Sequence, residues 1–230
     1  LANAINTSIA AKAPLASPVF TGNVSHGDNV KAKFGTGNDL EIFHDGSHSR
    51  IKDVGTGHLV LSGGEVHFNN SDNTSNHLVI NSAGIVTKPL QPAFLATKTQ
   101  TSSNTPINTD HTVLFATEVY DQNSDFSSNT FTAPVTGKYL LTASLRLDQV
   151  DEAANYYLLG IIGSNRSFRE IWNPGGITDN DSYHNMQVSG LLDMDANDTA
   201  IVRFNQNAGN PQVDQDGNAE MSYFCGHLVC

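Results

Sequence analysis

Leu40, Leu59 and Leu78 stand nineteen residues apart, and Ile42, Leu61 and Ile80 keep the same spacing. Each pair sits in a short phrase, DLEIF, HLVLS or HLVIN, whose alternation predicts a strand. Between the phrases lie GTG, HDGSHS, SGG and NSDNTSN, all turn material. A unit this short offers few inward apolar side chains, while ordering its backbone costs about 1–2 kcal/mol per residue. It does not fold alone, so something must cover its apolar side. Several identical chains wound on one axis would each supply one side of a shared core. The spacing therefore predicts a repetitive trimeric β-shaft over residues 20–88. A small β-domain packed on the rest of the chain is the alternative.

The flanks read differently. In LANAINTSIAAK, Leu1, Ile5 and Ile9 fall on one helical stripe, and Pro14 stops it. A dozen residues make a marginal isolated helix but a reasonable coiled-coil end. Residues 1–19 are thus expected to be a helical or extended connector that continues upstream of Leu1. KPLQPAF, residues 88–94, places two prolines where neither helix nor sheet continues easily, so residues 89–230 are expected to form a separate head. There, Tyr139, Leu141, Ala143, Leu145 and Leu147 alternate with Leu140, Thr142, Ser144 and Arg146. That is a strand with one buried face. NMQVSGLLDM (185–194), TAIVRFNQ (199–206) and MSYFCGHLV (221–229) read as further strands, the last apolar on both faces and so expected to be buried. Strands at this frequency predict a β-sandwich, and the chain as a whole reads as all-β beyond its short N-terminal helix.

Charge limits the partners. Residues 1–88 carry six Lys/Arg against seven acids, and nearly all of the net charge of −11 falls on the rest. An acidic head disfavours nucleic acid, whose binding needs Lys/Arg to displace counterions. No apolar run approaches the ~20 residues of a membrane helix. Cys225 and Cys230 are five positions apart in an extended stretch, about 16 Å and beyond disulfide reach. Both are expected to be free thiols, as suits assembly in a reducing cytoplasm.

Two resemblances follow from longer phrases. KAPLASPVFTGNV (12–24) is similar to a segment of bacteriophage tail fibres, and GTGNDLEIFHDGSHSRIKDVGTGHLVL (35–61) resembles repeats in fibre proteins of marine phages. They imply a trimeric virion appendage. The aromatic spacing Phe115, Asp121, Phe126, then Phe131, Gly137 and Tyr139, resembles the globular head of complement component q in the tumour-necrosis-factor superfamily. The ending Ser222-x-Phe224-x-Gly226-x-Leu228 resembles it too. That second resemblance implies a ten-stranded jelly roll over residues 90–230 that trimerises and binds ligands through distal loops.

Chemistry is sparser. Asp214, Asp216, Asn218 and Glu220 alternate like the start of a calcium loop, with an acidic hairpin turn as the plainer reading. Six of nine histidines lie in residues 20–88 without paired ligand spacing. No catalytic or phosphate-binding motif is present, and the chain is expected not to be an enzyme and to need no cofactor, calcium aside. EIWNPGGITDNDSYHN (170–185) gathers Trp172, Asn173, Tyr183 and His184 in a polar loop suited to stacking and amide hydrogen bonds. Trp172 either serves such recognition or closes a strand against the core. The expected function is a phage tail fibre whose head adsorbs to a host-surface glycan or protein, joined to other tail proteins on its N-terminal side. The alternative is a structural decoration or whisker fibre without a receptor.

Overall fold

The computed structural model describes residues 19–177 and 183–230. The helix expected over residues 1–12 lies outside the described residues. Every regular element among the described residues is a strand, and no helix is long and apolar enough to cross a membrane. The chain divides between Gly63 and Gly64 into two compact units. Among the described residues, eight of the twelve non-glycine residues with positive φ are asparagines, which tolerate the left-handed region better than most side chains. This explains why so many turns of the chain are built on Asn.

In the first unit, β1 (Ala32–Phe34), β2 (Leu40–His44) and β3 (Ser49–Asp53) form an antiparallel sheet with β2 central. Its register pairs Ala32 with Ile42 and Ile42 with Ile51, and Phe34 with Leu40, so these side chains share one face. Phe34, Ile42 and Ile51 remain exposed on it. The second unit opens with a sheet of the same plan, β4 (Val66–Asn69), β5 (Asn76–Ile80) and β6 (Val86–Thr87), again with the middle strand central. Val66, Ile80 and Val86 align across it, as do Phe68 and Leu78.

These two sheets correct the nineteen-residue reading. Leu40 and Leu78 both sit on the central strand of a three-stranded sheet, so the structural period is two sequence repeats. The middle copy, HLVLS, is no strand: residues 54–65 belong to no ladder, and Leu59, Val60 and Leu61 are exposed. It is bonded to none of the neighbouring strands, although β3 and β4 each leave an edge open, and backbone pairing, more than side-chain pattern, defines a strand.

The two-proline segment does interrupt pairing: β6 ends at Thr87 and β7 (Ala93–Thr97) begins after Pro92. Its carbonyls are caught by side-chain amides instead. Gln122 Nε2 donates to the carbonyls of Pro89 and Gln91 at 2.6 and 2.9 Å, and Asn123 Nδ2 to that of Leu90 at 3.0 Å.

The remainder is a sandwich. One sheet contains β7, β9 (Thr117–Gln122), β12 (Gly137–Asp148), β15 (His184–Met194) and β18 (Tyr223–Leu228), in the order β15-β12-β18-β7-β9. The other contains β10 (Phe126–Ser127), β11 (Thr130–Thr132), β13 (Tyr156–Gly163), β14 (Ser167–Trp172) and β16 (Thr199–Asn207), in the order β10-β11-β16-β13-β14. Two short strands lie off these paths: β8 (His111–Thr112) pairs with β16, and β17 (Asp214–Gln215) with β12. The chain repeatedly crosses between sheets, from β11 to β12, β12 to β13, β14 to β15 and β15 to β16. Ten strands on two antiparallel paths with these crossovers make a double-sheet jelly roll.

Tyr139, Leu141, Ala143, Leu145 and Leu147 are all fully buried, as the alternation predicts. β18 differs from expectation: Phe224 and Gly226 are buried, while Tyr223 and Cys225 on its other face are only half-covered. Phe94 organises the centre. It stacks on Phe126 and Phe131 at 5.0 and 4.8 Å and meets Phe224 edge-on at 5.0 Å. A Cβ at Gly226 would meet the Leu141 Cδ2 methyl and crowd the Leu140 carbonyl oxygen, so a larger residue there requires the buried Leu141 to shift.

Lys98 and Asp151 are each 1% exposed, and the lysine has a consequence for stability. Its Nζ donates to Ser102 Oγ at 2.8 Å. Burial pushes its pKa below the usual lysine range, against the pull of Asp216. The unfolded chain therefore holds this proton to higher pH than the folded one does. Between the folded pKa and the ordinary value near ~10.4, stability rises with pH. We expect Lys98→Met to keep the fold, to melt no lower than the parent at pH 7, and to lose that alkaline gain. Melting curves at neutral and alkaline pH read both effects.

Candidate functional site

Two surfaces of the sandwich stand out. The first is the outer face of the β15-β12-β18-β7-β9 sheet. Register sets Tyr120, Leu95, Cys225, Thr142 and Ser189 in one row across all five strands. The next row holds Ala93, His227, Leu140 and Leu191, and on the other side lie Thr97, Tyr223, Ser144 and Gln187. None of these is Lys, Arg, Asp or Glu, although residues 64–230 carry the whole net charge of −11. Charge returns at the ends, with Lys138 and Asp193 at one and Arg146 at the other, and at Glu118 on the edge strand β9. The polar side chains satisfy each other: Thr142 and Ser189 hydroxyls lie 2.8 Å apart, and Gln187 Nε2 donates to Tyr223 Oη at 3.1 Å. Tyr120, Leu140 and Leu191 are exposed. The opposite sheet has no such stretch, since Arg169 and Arg203 stand on its outer rows.

The second surface is built on the ends of β14 and β15. Trp172 is the last residue of β14 and is half-buried against the core. His184 is the first residue of β15. Their rings stack at 3.5 Å with planes 6° apart, and the buried Tyr157 lies on Trp172 at 5.5 Å. Burial pushes the His184 pKa down, with Glu170 drawing it partly back. Burial likewise pushes the Tyr157 hydroxyl up to about 12. Trp172 thus closes a strand, and its place in the stack leaves it little room to act alone.

Tyr183 is the exposed aromatic, at 68%. Arg146 Cζ sits 4.5 Å from its ring centroid, a cation–π contact. The guanidinium is in turn held by Asp148, at 2.9 Å from Nε, and by Asp216, at 3.4 Å from Nη1. Asn173, the fourth residue singled out in sequence, is exposed and spends its side-chain oxygen on the Gly175 amide at 2.7 Å. Residues 178–182 between them lie outside the described residues. Arg146 was not named in sequence. Its place in the outward set of YLLTASLRL marked it as exposed, but nothing local showed that Tyr183 would lie on it.

The acidic alternation is put to other uses. Asp214 accepts the Asn104 amide at 2.7 Å and Gln149 Nε2 at 2.9 Å. Asp216 faces Arg146, and Asn218 Oδ1 caps the Glu220 amide at 2.9 Å. Among the described residues no three His, Cys, Asp or Glu side chains are grouped to hold a metal ion. Cys225 and Cys230 are free, the former half-buried.

The sequence matches no protein-family model and no curated protein. Among solved structures, the sandwich is similar to the globular domain of zebrafish complement 1qA, at 16% identity and a TM-score of 0.46 over 61% of this chain and 98% of that one. It is also similar to murine APRIL, at 14% identity and a TM-score of 0.43 over 60% of this chain and 99% of that one. The jelly-roll assignment here stands on the strand order itself.

Proposed function

We propose that this chain is a subunit of a homotrimeric bacteriophage tail fibre, whose C-terminal head attaches to a glycan or protein on the host surface. The observation that carries this reading is the charge-free outer face of the β15-β12-β18-β7-β9 sheet. A face of thirteen uncharged positions, all but the buried Thr97 and Ser144 reaching its surface, is out of place in water on a strongly acidic unit, and it suits burial against copies of itself. The small sheets repeat the theme with exposed Phe34, Ile42, Ile51, Phe68 and Val86. The resemblance of residues 12–24 and 35–61 to phage fibre sequences supplies the setting, a virion part assembled in the host cytoplasm and joined to other tail proteins toward its N-terminus. The absence of any catalytic motif in the sequence supports a binding role over an enzymatic one.

Attachment falls to the Tyr183–Arg146 corner. An exposed ring backed by a fixed guanidinium offers stacking, and the Asn173 Nδ2 group, whose partner oxygen is held by the Gly175 amide, is left to donate. The head is acidic, so charge attraction to an anionic envelope contributes nothing. A single stacking contact is worth about 1 kcal/mol, and three copies on one axis raise the effective concentration. We expect the fluorescently labelled full chain to stain host cells and Tyr183→Ala to weaken staining severalfold with an unchanged melting temperature. A labelled protein that leaves host cells unstained while whole virions adsorb removes the adsorption role and leaves the decoration fibre.

A further inference from the structure

The first unit carries a second kind of surface, on the side of its sheet opposite Phe34, Ile42 and Ile51. Register places Lys33, Glu41 and Lys52 in one row across β1, β2 and β3, and pairs Phe43 with Arg50 in the next. Lys31 reaches the same face: its Nζ is 2.8 Å from Glu41 and 4.7 Å from the Phe43 ring centroid. Four of the five basic residues in positions 1–63 therefore share one face of a three-stranded sheet.

The carboxylates beneath organise this face without cancelling it. Glu41 is only 7% exposed, roofed by lysine stems, and the Lys31 hydrogen bond with the nearby Lys33 and Lys52 charges lowers its pKa. Asp45 is drawn down to about 2 by Arg50 and by the His48 and Ser47 amides. Both stay ionised, so four cations meet two carboxylates and a local excess of two positive charges remains. The lysine and arginine ends stay exposed, while Glu41 does not. In a chain of net charge −11, this is a basic island.

We propose that this face binds the sulfate or phosphate groups of an anionic polysaccharide. Lys33 and Lys52 stand two strands apart, about 9.5 Å, which suits anions spaced along a sugar chain. The half-buried Phe43 ring between the cations gives a sugar face something to lie on. Duplex DNA fits worse. It carries a charge about every 1.7 Å, so most of its phosphates would overrun so small an island. A polysaccharide with sparse anionic groups places one or two on the lysines and leaves the rest neutral. This site is in the other compact unit from Tyr183 and does not depend on it.

The test is binding of the full chain to labelled dextran sulfate, phosphomannan, neutral dextran and duplex DNA, at about 0.05 M and 0.5 M salt. We expect binding of at least one anionic polysaccharide that weakens at high salt, with the two polymers distinguishing sulfate from phosphate. Lys33→Gln/Lys52→Gln should lower affinity by about tenfold or more. Lys138→Gln, an exposed lysine of the other unit, should leave it unchanged. Should the double variant fail to fold, Arg50→Gln serves in its place. Four results overturn the proposal: no binding of either anionic polymer, equal binding of neutral dextran, DNA bound as tightly as the polysaccharides, or equal losses in Lys138→Gln.

Discussion

Replacing Leu140 and Leu191 together by Asp is expected to convert the proposed trimer into monomers at micromolar concentration while leaving each protomer folded. The two leucines are paired across β12 and β15, and they are 37% and 47% exposed in the single chain. Within a protomer they already face water, so the substitution removes little core packing there. In a trimer the same change buries several carboxylates in one interface. Each costs several kcal/mol to desolvate without a partner, more than an association of ordinary strength can offset. Light scattering should give three times 24.7 kDa for the parent and a single chain for the variant, with unchanged far-ultraviolet circular dichroism. A parent that is monomeric, or a variant that remains trimeric, sinks the assignment of this face.

Phe131→Ala should be the most destabilising of simple core truncations. The side chain is fully buried, stacked on Phe94 at 4.8 Å and tilted against Tyr139 at 5.3 Å. Aromatic-to-alanine changes at such sites cost about 3–5 kcal/mol through lost transfer energy and the cavity left behind. That is a large share of the ~5–15 kcal/mol by which a domain is usually stable. Ile171→Ala, at 65% exposure on the outer edge of β14, should by contrast shift stability by no more than about 0.5 kcal/mol. Denaturant midpoints of the two variants compare them directly, and a Phe131→Ala protein as stable as Ile171→Ala would show that the Phe94 cluster is not the centre of the core.

Where local pattern carried the information, the chain was readable. The period-two run from Tyr139 to Leu147 gave a strand with the correct side buried, because in a strand alternation alone decides which residues share a face. The spaced aromatics Phe115, Phe126, Phe131, Tyr139 and Phe224 are core residues, and the rings of all five lie in one contact network joined through Phe94, Phe131 and Phe224. Phe94 escaped notice because it sits in KPLQPAF, where the prolines speak for a boundary. HLVLS misled for the opposite reason. Its side-chain pattern matches its neighbours, but a strand is made by backbone bonds, and this phrase forms none with the open edges of β3 or β4.

The candidate sites divide in the same way. Trp172, Tyr183 and His184 could be picked out as aromatics flanking a polar loop, and Trp172 and His184 do meet. That Trp172 is held in a stack of three rings, while Tyr183 is the exposed one and leans on Arg146, depends on β12, β14 and β15 arriving at one corner of the sandwich. Asp214 and Asp216 look alike in sequence, yet one is bound by Asn104 and Gln149 and the other by Arg146. Sequence by itself determined the all-β class, the inward face of the long strand and the concentration of acid toward the C-terminal side, since each depends on residue identity and near-neighbour spacing. Only the tertiary structure decided which strands share a sheet, and so which side chains line up across it. The charge-free rows and the basic island are sums over residues far apart in sequence, brought into register by backbone hydrogen bonds that no single segment encodes.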